Sequence, residues 1–326
     1  MGFIANLLGW RDKSPALTDS ERGTIERAVT TVDPLLKTVS GYERRLAPAV
    51  RHALAYCEGL VAAVPGPIEV NSRAFAADPL VHALFATAGD VGATLGKSRA
   101  VKAFMAEPAH ALADEFYALL GMRRFEKKVM GMSVHGDMVC ADTPQKLLYF
   151  SDHTLRELSP DIEETRRGLK LAAFDSLATS FASELAEGRS ARQDLHNQWD
   201  MQRALAARPH QAAAPVAEYA QRSAELEEQL RQATATLSPE RLVERLAAWL
   251  AAPEAHLHLD PTTVSVDRMG VMVDSASTAE QVSTLSFPEL IGRDRRHWIV
   301  LIARIPRQEA LRGIELQQAD SRYIII

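Results

Sequence analysis

Apolar residues recur at three- and four-residue intervals over most of the first 120 positions. From Ser40 onward, Tyr42, Leu46, Val50, Leu54, Cys57 and Val61 fall on one side of a 3.6-residue helix. Thr18 and Glu21 have the spacing of a capping box, in which each side chain satisfies a backbone N–H at the helix start. Asp78-Pro79 and Glu107-Pro108 put proline in a first turn, where its missing N–H costs nothing. Gly59 and Pro65-Gly66-Pro67 punctuate the stretch, which reads as several packed helices.

Residues 123–151 break that period. Phe125 to Val134 and Met138 to Phe150 favour strands and flank a compact turn, His135-Gly136-Asp137. Pro144 has no N–H to give to a ladder, so the return strand is expected to bulge near Asp142-Thr143-Pro144. Ser151, Asp152, His153 and Thr154 are expected to end it. As strand neighbours, Asp152 and His153 would point to opposite faces and make a poor dyad.

From Ser159-Pro160 the helical period returns in Ile162, Leu169, Ala173, Leu177, Phe181 and Leu185. Gly188, followed by Ser190 and Gln193, predicts a stop and a fresh helix start. Leu195, Trp199 and Leu205 continue the apolar face, and residues 208–215 form an Ala/Pro-rich linker. Tyr219, Leu226, Leu230 and Leu237 come next, then a new start at Ser238-Pro239 with Leu242, Leu246, Trp249 and Leu250. A linker this short predicts antiparallel neighbours, a coiled-coil-like helical hairpin. After Pro253 the period falls to two, predicting short strands at 256–260, 263–267, 271–274, 283–287 and 297–305. Asp267-Arg268-Met269-Gly270 and Gly292-Arg293-Asp294 are the turn candidates between them.

The expected fold is therefore α+β and predominantly α. Residues 1–14 are an apolar peptide, and 15–158 a helical bundle with a β-hairpin inserted at about 123–151. A long helical hairpin spans 159–252, and a small antiparallel β subdomain spans 253–326.

Composition narrows the partners. Hydrophobic residues at 47% and charged residues at 24% suffice for a globular core. A net charge of −5 gives no polyanion-binding character, so nucleic acid is not an expected partner. The longest apolar runs, such as Trp298 to Ala303, are too short to span a bilayer. Cys57 and Cys140 are far apart, with no Cys-x-x-Cys, and read as reduced buried thiols. The first ten residues lack the apolar region and cleavage site of an export signal, so a cytoplasmic location is expected. Phe3, Leu7 and Trp10 would share one side of a helix there. They make a docking peptide for the protein's own helices or, with Arg11 and Lys13, for a membrane surface.

Few residues form a catalytic pattern. Gly96-Lys97-Ser98 ends like a phosphate-binding loop, but the earlier glycine would have to stand at Val91, and Gly92 is one residue too close. The expected role of Ser98 is an N-cap. His256, His258 and Asp260 alternate along a strand and would project two imidazoles and a carboxylate from one face, a donor set for a divalent metal. The spacing resembles the first part of the His-x-His-x-Asp-His motif of metallo-β-lactamase-like hydrolases, although Pro261 stands where the next histidine belongs. The alternative is an ordinary half-buried strand with Leu257 and Leu259 inward. Two basic groups could meet an acidic partner or anionic lipid: Arg123, Arg124, Lys127 and Lys128 in the hairpin, and Arg293, Arg295 and Arg296 before the last strand. These features suit three functions. The leading one is a non-catalytic interaction, scaffold or regulatory protein that meets protein, self or other, through helical surfaces and needs no cofactor. The others are a metal-dependent hydrolase using the histidine strand, and a small-ligand sensor with its site between bundle and hairpin.

Overall fold

A computed structural model of the chain describes residues 17–135, 138–207, 216–273, 282–293 and 297–323. They form an α+β fold, predominantly α, with an antiparallel sheet and one long helix. They divide into two compact units: residues 17–55 with 175–253, and residues 56–174 with 254–323. The predicted boundaries instead kept hairpin, arm and C-terminal strands apart.

The helical unit begins with α1 (Asp19–Val32). Its capping box forms as predicted: the Thr18 N–H donates to Glu21 Oε2 at 2.8 Å, and the Glu21 N–H donates to Thr18 Oγ1 at 3.2 Å. Arg51 on α2 (Tyr42–Ala62) donates to the same carboxylate at 2.5 Å and, with the Thr18 N–H, holds its pKa down at about 2. Ile25, Val29, Leu46 and Val50 are buried, as the spacing predicted. So are Leu177, Phe181 and Leu185 of α7 (Ile162–Ala206) and Leu242, Leu246 and Leu250 of α9 (Pro239–Ala251). Trp249 donates its indole N–H to the Leu177 carbonyl at 3.1 Å and meets Phe181 edge-on.

The helix break predicted near Gly188 does not occur; α7 is continuous over 45 residues. One glycine costs a helix only about 0.5–1 kcal/mol relative to alanine. Ion pairs flank the position on both sides, Glu184 with Arg245 and Arg189 with Asp33. The next helix, α8 (Val216–Thr236), starts beyond the predicted linker, which lies outside the described residues.

In the sheet unit, β2 (Glu115–His135) and β3 (Met138–Ser159) form a hairpin longer than predicted. The residues between them, 136–137, lie outside the described ones. The inner half of β2 pairs with β6 (His297–Pro306), which pairs with β5 (Ser283–Gly292), which pairs with β4 (Leu257–Val266). The hairpin and the C-terminal strands are thus one sheet, in the order β3-β2-β6-β5-β4, with the short β1 (Ile68–Glu69) parallel to β6. Residues 115–122 escaped the strand reading because both their faces are covered. A continuous apolar run of that length is consistent with helix or strand.

The predicted turn at Asp267 forms. Asp267 Oδ1 accepts from the N–H groups of Met269 and Val271, and Gly270 takes φ +77°. The next two residues bridge both sheet edges, Val271 to Leu147 on β3 and Met272 to Val266 on β4, so the sheet curls round on itself. β4 runs unbroken through Pro261, where two strands were predicted; an edge strand tolerates the missing donor.

One face of the sheet buries Phe116, Met122, Phe287 and Ile299 with Leu84 of α4 (Pro79–Leu84), Leu95 of α5 (Ala88–Lys97) and Phe104 of α6 (Arg99–Ala106). The other packs Val300 and Ile302 against Val61, Val64 and Leu169. Helix α10 (Arg307–Tyr323) crosses α5 so closely that a methyl at Gly96 would overlap the Gly313 carbonyl.

Candidate functional site

Strand β3 departs from regular geometry at three points. Asp142, Asp152 and Glu157 adopt φ of 58°, 57° and 51°, each where the β2–β3 register slips by one residue. Left-handed backbone is uncommon outside glycine, and Asp tolerates it better than Glu. Each bulge adds a residue to β3 and re-aims the side chains beyond it. The expected strand end at 151–154 is therefore a bulge, and β3 continues to Ser159. The strict alternation that made Asp152 and His153 a poor pair is interrupted there by the left-handed Asp152, within the stretch 150–157 that borders one cleft.

That cleft is a concavity of the sheet unit, about 1100 Å³ in volume. Its walls are α5, the first turn of α6 and residues 150–157 of β3. His153 forms part of the floor. Its Nε2–H donates to the Leu84 carbonyl at 2.8 Å and its ring stacks on Phe85 at 4.8 Å. Burial lowers the pKa of His153, outweighing the Leu84 hydrogen bond, and favours the neutral ring. Ser98 caps α6 as predicted, accepting from the Val101 N–H at 3.3 Å. Gly96 serves the α5–α10 crossing rather than a phosphate, while Lys97 and Ser98 line the cleft.

The helical unit carries a second concavity, a groove of about 820 Å³ lined by Arg192, His196 and Trp199 of α7 and Glu227, Leu230 and Arg231 of α8. Along α7, Arg192, Leu195, Trp199, Gln202 and Leu205 are half-buried; along α8, Tyr219, Ser223, Leu230, Ala233 and Leu237 are half-buried around the buried Leu226. Those three- and four-residue steps mark one stripe per helix. The Trp199 indole N–H is buried without an acceptor among the described residues, and Arg203 lies over the ring at 5.2 Å.

The residues singled out from sequence are mostly engaged locally. His258 Nε2 lies 3.8 Å from Asp260 Oδ1, with Leu257 buried behind them. His256 precedes β4, and His258 Nδ1 is buried without a partner among the described residues. No group of three or more His, Cys, Asp or Glu side chains among the described residues is placed to hold a metal ion. Arg123 pairs with Asp152 at 3.6 Å and covers Phe125 at 5.0 Å. Arg124 sits 2.6 Å from Oε1 of the buried Glu289, whose Oε2 meets His297 Nδ1 at 2.8 Å. The Arg124 contact is a close charge pair rather than an aligned hydrogen bond. Lys127 and Lys128 are exposed on the outer part of β2, and Arg293 lies just past β5. Arg295, Arg296, Phe3, Leu7 and Trp10 lie outside the described residues, as does the side chain of Cys140. Burial pushes the Cys57 thiol up to about 11.

Sequence reasoning missed Arg156 and Glu157, because strand pairing rather than local sequence places a bulge. An acidic residue inside an apolar strand, Asp152 after Phe150-Ser151, is the one available signal. No helix among the described residues is long and apolar enough to cross a membrane. In comparisons with known proteins, no family model, curated protein or solved structure matches the chain.

Proposed function

We propose that the protein is a non-catalytic interaction protein that associates through the α7–α8 groove, and that the occupant is the same helical surface of a second copy. The half-buried stripes on α7 and α8 support this reading. Two helices alone cover only one side of each stripe, so Leu230, Trp199 and their neighbours keep apolar area that a further helical layer would bury, at roughly 25 cal/mol per Å². A two-fold contact must be self-complementary. The groove is lined by both signs, Arg192 and Arg231 beside Glu227, as such pairing requires.

Light scattering over a concentration series tests the proposal. The wild-type mass should rise from one chain toward two. Ala235→Arg, at an exposed position lining the groove, should hold it at one while the circular dichroism stays unchanged. A wild-type chain that stays monomeric, or a variant that dimerises equally well, contradicts it.

A further inference from the structure

The charges of the α5–α6–β3 cleft divide into two classes. Two of its three acidic residues are engaged, Asp90 accepting from the Thr87 hydroxyl at 2.9 Å and Asp152 pairing with Arg123, while Glu157 is exposed beside the backbone of Gly168. Its three cations, Lys97, Arg99 and Arg156, are exposed and form no ion pair among the described residues. They come from three elements: the end of α5, the start of α6 and the β3 segment between the Asp152 and Glu157 bulges. Without those bulges, β3 would present another sequence of side chains to the cleft.

We propose that this cleft binds a small organic polyanion, a phosphate or polycarboxylate ester or acid, held by Lys97, Arg99 and Arg156. Guanidinium groups match oxyanions with two parallel hydrogen bonds, and the lysine adds a point charge. A cleft of about 1100 Å³ admits a metabolite-sized molecule. His153, uncharged in the floor beside Phe85, adds no cation of its own and offers a flat polar wall. The site is independent of the α7–α8 groove, so either proposal can fail alone.

Isothermal titration of the full chain with pyrophosphate and with citrate tests the idea, the pair separating phosphate from carboxylate recognition. Saturable one-to-one binding of at least one is expected. Arg156→Gln and Lys97→Gln should each weaken it by about tenfold or more, the scale of one charge-assisted hydrogen bond. Lys128→Gln removes the same charge on exposed β2 and should leave the affinity unchanged. The bound anion should also raise the melting temperature of the wild type, and less so that of Arg156→Gln. Absence of saturable binding for both anions, or equal weakening by all three substitutions, would overturn the proposal.

Discussion

Two helix pairs in this protein differ in what they leave between them. At the α5–α10 crossing, a Cβ at Gly96 would collide with the Gly313 carbonyl and a Cβ at Gly313 with the Gly92 carbonyl. Between α7 and α8 a groove remains open, and Leu226 is the buried residue of the α8 stripe. Both pairs use three- and four-residue spacing. Small residues let backbones touch and leave no room for anything else; leucines and a tryptophan hold two helices apart and leave sides uncovered. The first pair is complete in itself, whereas the second has surface to share.

The largest expected effect comes from closing that contrast at the tight crossing. Gly96→Ala puts a methyl into the Gly313 carbonyl and should destabilise the protein by about 1–3 kcal/mol, the usual cost of overpacking. Urea denaturation measures it. A neutral Gly96→Ala would mean that α5 and α10 can move apart freely.

A smaller effect concerns pH. His153 is held neutral because burial lowers its pKa in the folded state. The unfolded chain therefore binds the proton first, near pH 6.5. The stability it contributes is full above that value and is lost as pH falls through it toward the lower folded pKa. His153→Gln should flatten this part of the stability–pH curve. An unchanged slope would remove His153 from the acid response.

The smallest effect is on the open pair. At Gly188 the nearest atom to an added Cβ is Leu237 Cδ2 at 4.0 Å, and α7 is helical through it. Gly188→Ala should raise stability by about 0.5–1 kcal/mol. A loss instead would show that α7 bends there in solution, as the glycine and the nearby Ser190 suggest on their own.

Sequence periodicity conveyed the helices well where one face is buried, as in Leu46, Val50 and Cys57 of α2 and in Leu242, Leu246 and Leu250 of α9. It also conveyed local chemistry: the Thr18–Glu21 box, the first-turn Pro79 of α4, the Ser98 cap and the Asp267–Gly270 turn. The features it missed are long-range. The β2–β6 pairing joins residues 115–122 to 299–306, and nothing in either segment names its partner. The bulges at Asp152 and Glu157 belong to the β2–β3 pairing, where β3 slips in register against β2, so the cleft they shape was hidden too. At Gly188, local stop signals lost to a ladder anchored by Glu184–Arg245 and Arg189–Asp33.

Hydrogen exchange at low and high protein concentration tests the groove-mediated association most directly. With a second copy seated in the groove, the amides of residues 192–205 and 219–237 should exchange more slowly at high concentration. Those of α5 and α10, already closed, should not change. Exchange in the two stripes that is independent of concentration, with light scattering confirming a single chain throughout, would contradict association through α7 and α8.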